Sequence, residues 1–195
     1  MKRHLPTQAT MRGCQAARLD DDALVAAALR DRQAFSPLYE RYAARVYRYA
    51  RARTGSDTIA EDILSETMLG ALESLDRYRP GRGSFASWLF TIATRRIIDR
   101  QRRDSRFRDL LARAWEPAGT EDDALTTLVR HDDVARLRAL LTTLPEKDRE
   151  LILLRYSAEL TSAEIGAVTG MSAGAARIRL MRLLDRLAND LGDSR

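Results

Sequence analysis

Two kinds of residue in this chain are spaced to do chemistry. The first is acidic: Asp62 and Glu66 stand four residues apart, with Glu61 beside them and Asp57 four residues before Glu61. On a helix that spacing gathers the carboxylates on one side. Such a face could ligate a metal or move protons, but it lacks the histidine partners and pocket-forming loop that catalysis needs. His4 and His131 are isolated, and Cys14 is the only cysteine, so a cysteine-based zinc site and an internal disulfide are both excluded. No catalytic residue, no metal ligand and no cofactor is expected, and the chain is not expected to be an enzyme. The acidic face reads instead as a solvated surface or as a dock for a basic partner helix.

The second kind is arginine. From Thr54 to Asp76 there is no Lys or Arg, whereas from Arg77 to Arg103 Arg77, Arg79, Arg82, Arg95, Arg96, Arg100, Arg102 and Arg103 face a single acid, Asp99. Phe85, Trp88 and Phe90 lie among them. Aromatic rings beside a basic groove hold single-stranded nucleic acid by stacking. Phe85 is expected in the core, while Trp88 is divided evenly between core and stacking surface. The inversion of sign suggests two adjoining contacts, one with a basic protein surface and one with nucleic acid. A net charge of +5 suits the second partner. The preference for arginine over lysine has two readings, phosphate and base-edge recognition or simply a GC-rich genome.

A further basic constellation runs from Thr161 to Leu187. A short helix, a turn holding Gly170 and a longer helix capped by Ser172 have the pattern of a helix-turn-helix. Gly166 supplies the small residue where the two helices cross, and Ile165, Val168, Met171, Ala176 and Leu180 are expected to pack the joint. Ala173, Gly174, Arg177, Ile178, Met181 and Arg182 are then left on the outer face, and Arg177, Arg179, Arg182 and Arg186 can serve phosphates or guanine edges. The competing reading is a helical hairpin with a solvated basic face.

These residues need a helical frame, and the chain supplies one. Its 195 residues, 45% hydrophobic and 31% charged, fit a globular protein of one domain or two small ones. Residues 1–19 lack periodicity and read as a flexible tail. Asp20, Asp21 and Asp22 are placed to start a helix. Pro37 fits the first turn of a second, and Asp57 opens the acidic helix, with Ile59, Ile63, Leu64, Met68, Ala71, Leu72 and Leu75 as its buried stripe. A loop at 78–84 leads to a helix from Phe85 to about Arg103. Residues 104–133 hold Pro117, Gly119 and several acids and read as a linker with one or two helical turns. Helical spacing returns from Val134, with a helix from Glu146 to Tyr156 that is expected to bury Tyr156. The fold expected is all-α: two small helical modules, 20–103 and 134–191, joined by a flexible acidic linker, the C-terminal one a helix-turn-helix. The N-terminus has no apolar signal core, and no apolar run approaches the ~20 residues that span a bilayer. A cytoplasmic protein without membrane insertion is expected.

The stretches LYERYAARVYRYARARTG, AEDILSETMLGALESLDRYRPGRGSFASWLFTIATRRIIDRQRR and LPEKDRELILLRYSAELTSAEIGAVTGMSAGAARIRLMRLLDRL resemble the two modules of extracytoplasmic-function sigma factors, small members of the sigma-seventy superfamily. The resemblance covers roughly Asp20 to Leu191. It implies that the acidic helix, with Asp57, Glu61, Asp62 and Glu66, binds the clamp coiled coil of the largest subunit of core RNA polymerase. It implies that Arg82, Ser84, Trp88, Arg95, Arg96, Arg100 and Arg103 read and open the minus-ten element of promoter DNA. The minus-thirty-five element falls to Ser172, Ala173, Arg177, Ile178, Arg179 and Arg182, with the C-terminal module on the polymerase flap. A cognate anti-sigma factor is a further implied partner.

Three departures from the family pattern stand out. Arg95 occupies a position where family members commonly carry Asn. Ala173 to Arg179 replaces a recognition-helix pattern richer in Glu, Thr and Ser. Thr91 and Ile92 stand where housekeeping sigma factors carry a tryptophan pair. Two rival functions remain at this stage: a free-standing helix-turn-helix regulator, which would need a dimer interface, and a nuclease, which would need a His or carboxylate cluster beside the basic helix.

Overall fold

The computed structural model describes residues 21–114, 141 and 143–192, so the expectations for the tail, for Asp20, for the linker beyond 114 and for the helix opening at Val134 fall outside the described residues. Within them the chain forms helices and turns and no strand, the all-α organisation expected.

Helix α1 covers residues 21–30. A 3-10 turn, Arg32–Phe35, leads into α2, Ser36–Thr54, with Pro37 in the first turn, where its missing N–H leaves no hydrogen bond unmade. Gly55 ends α2 in the left-handed conformation, φ 75°. Ser56 then caps α3, Asp57–Glu73, by accepting a bond from the Ile59 amide. After a 3-10 turn at Leu75–Arg77 comes the long helix α4, Phe85–Ala114. The C-terminal part holds α5, Glu146–Tyr156, α6, Ser162–Thr169, and α7, Ala173–Gly192.

Two expectations change. Helix α4 runs about three turns past Arg103, into the stretch read as linker; no Pro or Gly interrupts residues 85–114, and the first breaker is Pro117. Tyr156 is 57% exposed rather than buried, because α5 ends there and its core face is made by Leu151 to Leu154.

Helices α2, α3 and α4 pack around Leu38, Tyr42, Val46, Tyr49, Ala60, Ile63, Met68 and Ala71, closed by Phe85, Leu89, Phe90, Ala93 and Ile97. The Phe85 ring lies within 5.3–5.7 Å of the rings of Tyr42, Tyr78 and Trp88, tilted or edge-on. Each such pair adds about 0.5–1.5 kcal/mol beyond its buried area. Asp21, the first described residue of α1, is buried. It is 4% exposed and accepts bonds from Arg41 Nη1 and the Tyr42 hydroxyl, both at 2.5 Å, tying α1 to α2. Burial first, and then the Asp21 carboxylate, push the Tyr42 hydroxyl far above the usual tyrosine range.

The C-terminal helices lie against this bundle. Arg45 Nε and Nη2 donate to the Ala158 carbonyl at 2.9 and 2.7 Å, and Nη2 also reaches the Glu159 carbonyl at 3.2 Å. Arg48 Nη2 meets the Glu159 carboxylate at 2.5 Å. The Arg53 guanidinium, its side chain 3% exposed, pairs with Glu146 at 3.2 Å. The carbonyls taken by Arg45 belong to the turn that follows α5.

Candidate nucleic-acid interface

The acidic face of α3 is built by the buried stripe opposite it. Ala60, Ile63, Thr67, Met68 and Ala71 anchor the helix, which leaves Glu61 and Asp62 exposed and Glu66 half-buried. Asp57 is engaged locally: the Tyr47 hydroxyl donates to it at 2.7 Å and Arg51 Nε at 2.6 Å. Those bonds, the tyrosine's first, hold its carboxyl below the usual carboxylate range. Asp62 meets Arg100 Nη1 at 3.2 Å. Glu61 and Glu66 make no ion pair among the described residues, and so keep their charge free for a partner. Leu69, on the turn after Glu66, is 57% exposed. Sequence reasoning passed over it, although an apolar residue outside the buried stripe of an otherwise acidic face was the available signal.

On α4 the aromatics separate as burial dictates. Phe85 and Phe90 are core, 1% and 0% exposed, so neither is a stacking platform; Trp88 is half-buried. Arg82, Arg95, Arg96 and Arg103 are exposed. Arg96 lies over Gly70 of α3, where an added Cβ would sit 3.3 Å from its Nη2, so the glycine makes room for the guanidinium. Arg100 is shared between Asp62 and, at 3.9 Å, Asp104. The loop before α4 turns at Gly81, φ 85°, and with Asp22, Tyr78, Gly83, Ser84 and Phe85 it lines a cavity of about 220 Å³. Tyr78 fixes that cavity by donating to Asp22 at 2.8 Å.

Ser84 is not a free surface residue. It is 4% exposed, caps α4 by accepting from the Ser87 amide at 3.2 Å, and donates to Glu164 Oε1 at 2.7 Å. Glu164, which sequence reasoning did not single out, belongs to α6 and also closes the capping box with Thr161. The box was legible as T-x-x-E; its second bond, across 80 residues of chain, was not.

The helix-turn-helix is formed as expected. Gly170 ends α6 at φ 75°, and a Cβ on Gly166 would come 2.5 Å from the Met171 carbonyl oxygen. Ser172 caps α7 by accepting from the Ala175 amide at 3.1 Å. Ile165, Ala176, Leu180, Leu183 and Leu187 are buried, with Val168 and Met171 packed at the edge. Ser172, Ala173, Arg177, Ile178, Arg179 and Arg182 are all exposed. Arg179 nevertheless turns back to α5, its Nη2 2.6 Å from Asp148, whose side chain is 13% exposed. Among the described residues, Arg177 and Arg182 are then the cations of the outer face that make no ion pair. No group of three or more His, Cys, Asp or Glu side chains able to hold a metal occurs among the described residues, and none of their helices is long and apolar enough to cross a membrane.

The sequence matches the family model for Sigma-70 region 2 over residues 38–107 and that for Sigma-70 region 4 over residues 135–187. It is 35% identical to the ECF RNA polymerase sigma factor SigD of Mycobacterium tuberculosis, over 87% of this chain and 83% of that one. It is 32% identical to the ECF RNA polymerase sigma factor RpoE of Cereibacter sphaeroides, over 81% and 86%. Among solved structures, CnrH in complex with the cytosolic domain of CnrY is similar at TM-score 0.65 and 26% identity, over 90% of this chain and 99% of that one. The sigma factor RpoE of Bartonella quintana, solved with the anti-sigma factor NepR, shares the fold at TM-score 0.62 and 20% identity, over 83% and 98%.

Proposed function

Because the chain belongs to the extracytoplasmic-function group of sigma-70 RNA polymerase sigma factors, we propose that its charged surfaces divide that family's work residue by residue. As a sigma factor it binds core RNA polymerase and directs promoter-specific initiation of transcription. Glu61, Asp62 and Glu66 dock α3 on a basic helix of the polymerase clamp, with Leu69 as the apolar contact within that acidic patch. Arg82, Arg95, Arg96 and Arg103 track the phosphates of the opening minus-ten element. Trp88 and the cavity behind Gly81 are placed to receive bases that leave the stack. Arg177, Ile178 and Arg182 enter the major groove at the minus-thirty-five element. The mechanism is binding throughout: arginine–phosphate contacts position the DNA, and capture of unstacked non-template bases holds it open.

One observation carries this reading. Asp62 and Arg100 lie 3.2 Å apart, so the acidic and arginine faces are neighbours on one packed helix pair. A surface that binds polymerase therefore adjoins a surface that binds DNA, and the two contacts can be made together. Arg95 is exposed with no ion pair among the described residues, which supports a direct role at the position where family members commonly carry Asn. An anti-sigma factor that covers these faces, acting in the cytoplasm where polymerase and promoter meet, completes the proposal. The free-standing regulator reading falls with the family assignment.

The test is in vitro transcription with core polymerase on genomic fragments. Start sites should share two elements, and reversal of Glu61, Asp62 and Glu66 to Lys should abolish polymerase binding while the chain stays folded. Full-affinity binding by that variant would remove α3 from the docking surface.

A further inference from the structure

We propose that Ile178 reads a thymine methyl group in the minus-thirty-five element, making this sigma factor's upstream recognition partly apolar. The inference rests on the reading of α7 as the groove-facing helix and deepens it. The buried stripe of α7 is Ala176, Leu180, Leu183 and Leu187. Successive helical residues advance by ~100°, so Ile178, two residues past Ala176, is carried to nearly the opposite side. There it is 45% exposed, and Met181, one turn on, is 56% exposed. An isoleucine and a methionine on that side of the helix lie outside its buried stripe.

The neighbours of Ile178 determine what could cover it. Toward the N-terminus of α7 the outer positions are Ala173, Gly174 and Ala175, none able to donate a side-chain hydrogen bond, and a Cβ added at Gly174 would meet nothing within 4 Å. Ile178 is thus the first bulky apolar side chain behind the end of the helix that leads into the groove. Arg177 and Arg182 flank it, and Arg179 is held away on Asp148 at 2.6 Å. The patch is therefore a small apolar ridge between two cations, complementary to a groove edged by phosphates. In the major groove the one apolar feature on a base edge is the C5 methyl of thymine. An Asn or Gln would read adenine and an Arg guanine; Ile178 can do neither, but its branched side chain fits against a methyl.

The experiment uses holoenzyme reconstituted from this chain and core polymerase, on a promoter taken from start-site mapping. Each thymine of the minus-thirty-five region, on either strand, is replaced singly by deoxyuridine, which deletes the methyl and keeps base pairing. One position should weaken promoter-complex formation about fourfold, the value of one buried methyl. Holoenzyme carrying Ile178→Ala should be weakened by a similar factor on the thymine promoter and be indifferent to deoxyuridine there. The inference is overturned if wild-type holoenzyme tolerates deoxyuridine everywhere, if Ile178→Ala keeps full discrimination, or if the element contains only G·C pairs. Footprinting separates this failure from a deeper one: a protected minus-thirty-five region with no methyl effect rejects only the role of Ile178, whereas no protection there rejects α7 as the groove-reading helix.

Discussion

The Ser84 hydroxyl, at the start of α4, donates to the Glu164 carboxylate on α6 across 2.7 Å, joining the loop proposed to meet the minus-ten element to the helix-turn-helix. On a promoter the two elements lie about 25 base pairs apart, which at ~3.4 Å per base pair is on the order of 85 Å. With the α4 loop on one element and α7 on the other, as proposed, the Ser84–Glu164 bond and simultaneous occupation of both would be incompatible. That proposal predicts that the two modules sit differently in the free chain and on a promoter.

The closed arrangement combines packing of α4 against α6 with a set of side-chain bonds from α2, and those bonds can be removed separately. Replacing Arg45 and Arg48 with Ala deletes the bonds to Ala158, Glu159 and the Glu159 carboxylate. The free chain is expected to expand, read as an increase in radius of gyration by small-angle X-ray scattering, while its helical content is unchanged. An unaltered radius would mean that the remaining contacts of α4 with α6 suffice to keep the modules together.

Of the described glycines, Gly166 leaves the least room for a side chain. A methyl group there would stand 2.5 Å from the Met171 carbonyl oxygen, and that backbone belongs to the turn and cannot swing aside as a side chain would. Gly166→Ala should cost about 1–3 kcal/mol, the usual penalty of overpacking. Thermal unfolding followed by circular dichroism checks it, and a variant as stable as the parent would show that the turn can relax.

The hydroxyls of Tyr42 and Tyr49 resist ionisation, Tyr42 by burial and the Asp21 carboxylate, Tyr49 chiefly by burial. Their folded pKa values are raised above the unfolded one, so their contribution to stability is intact below about pH 10 and is lost as pH rises beyond it. Urea midpoints should fall steeply through that window. Tyr42→Phe should be less stable at neutral pH, because Asp21 loses a donor, yet show a shallower alkaline decline. Parallel alkaline slopes for the parent and the variant would rule Tyr42 out as the titrating group.

Much of this was legible because helical period and breakers act locally. The capping residue Ser56, the box of Thr161 and Glu164, the terminators Gly55 and Gly170 and the crossing at Gly166 each follow from a few adjacent residues. What the sequence withheld depends on pairs far apart in the chain. Nothing near Asp21 in the chain announces Arg41 and Tyr42 as its partners, and nothing near Arg179 announces Asp148. A charge pattern cannot say which charges are already spent on one another. The exposed Leu69 and Ile178 were hidden differently, since helical spacing predicts which apolar residues are buried and says nothing about why one is left outside.

Arg177 and Arg179 offer the sharpest separation of roles on α7. Both are exposed and two residues apart, so a reading from charge alone treats them alike. Arg179 is bound to Asp148 at 2.6 Å, whereas Arg177 makes no ion pair among the described residues. Arg177→Ala should weaken promoter complexes and reduce by about one the slope of log affinity against log salt, the signature of one lost phosphate contact. Arg179→Ala should leave that slope alone and lower stability by roughly 0.2–1 kcal/mol, the range for a partly exposed pair. Filter-binding across a salt series, run beside thermal melts of the same variants, distinguishes them. Equal salt slopes for the two variants would mean that Arg179 leaves Asp148 to reach DNA, and would return it to the groove-facing set.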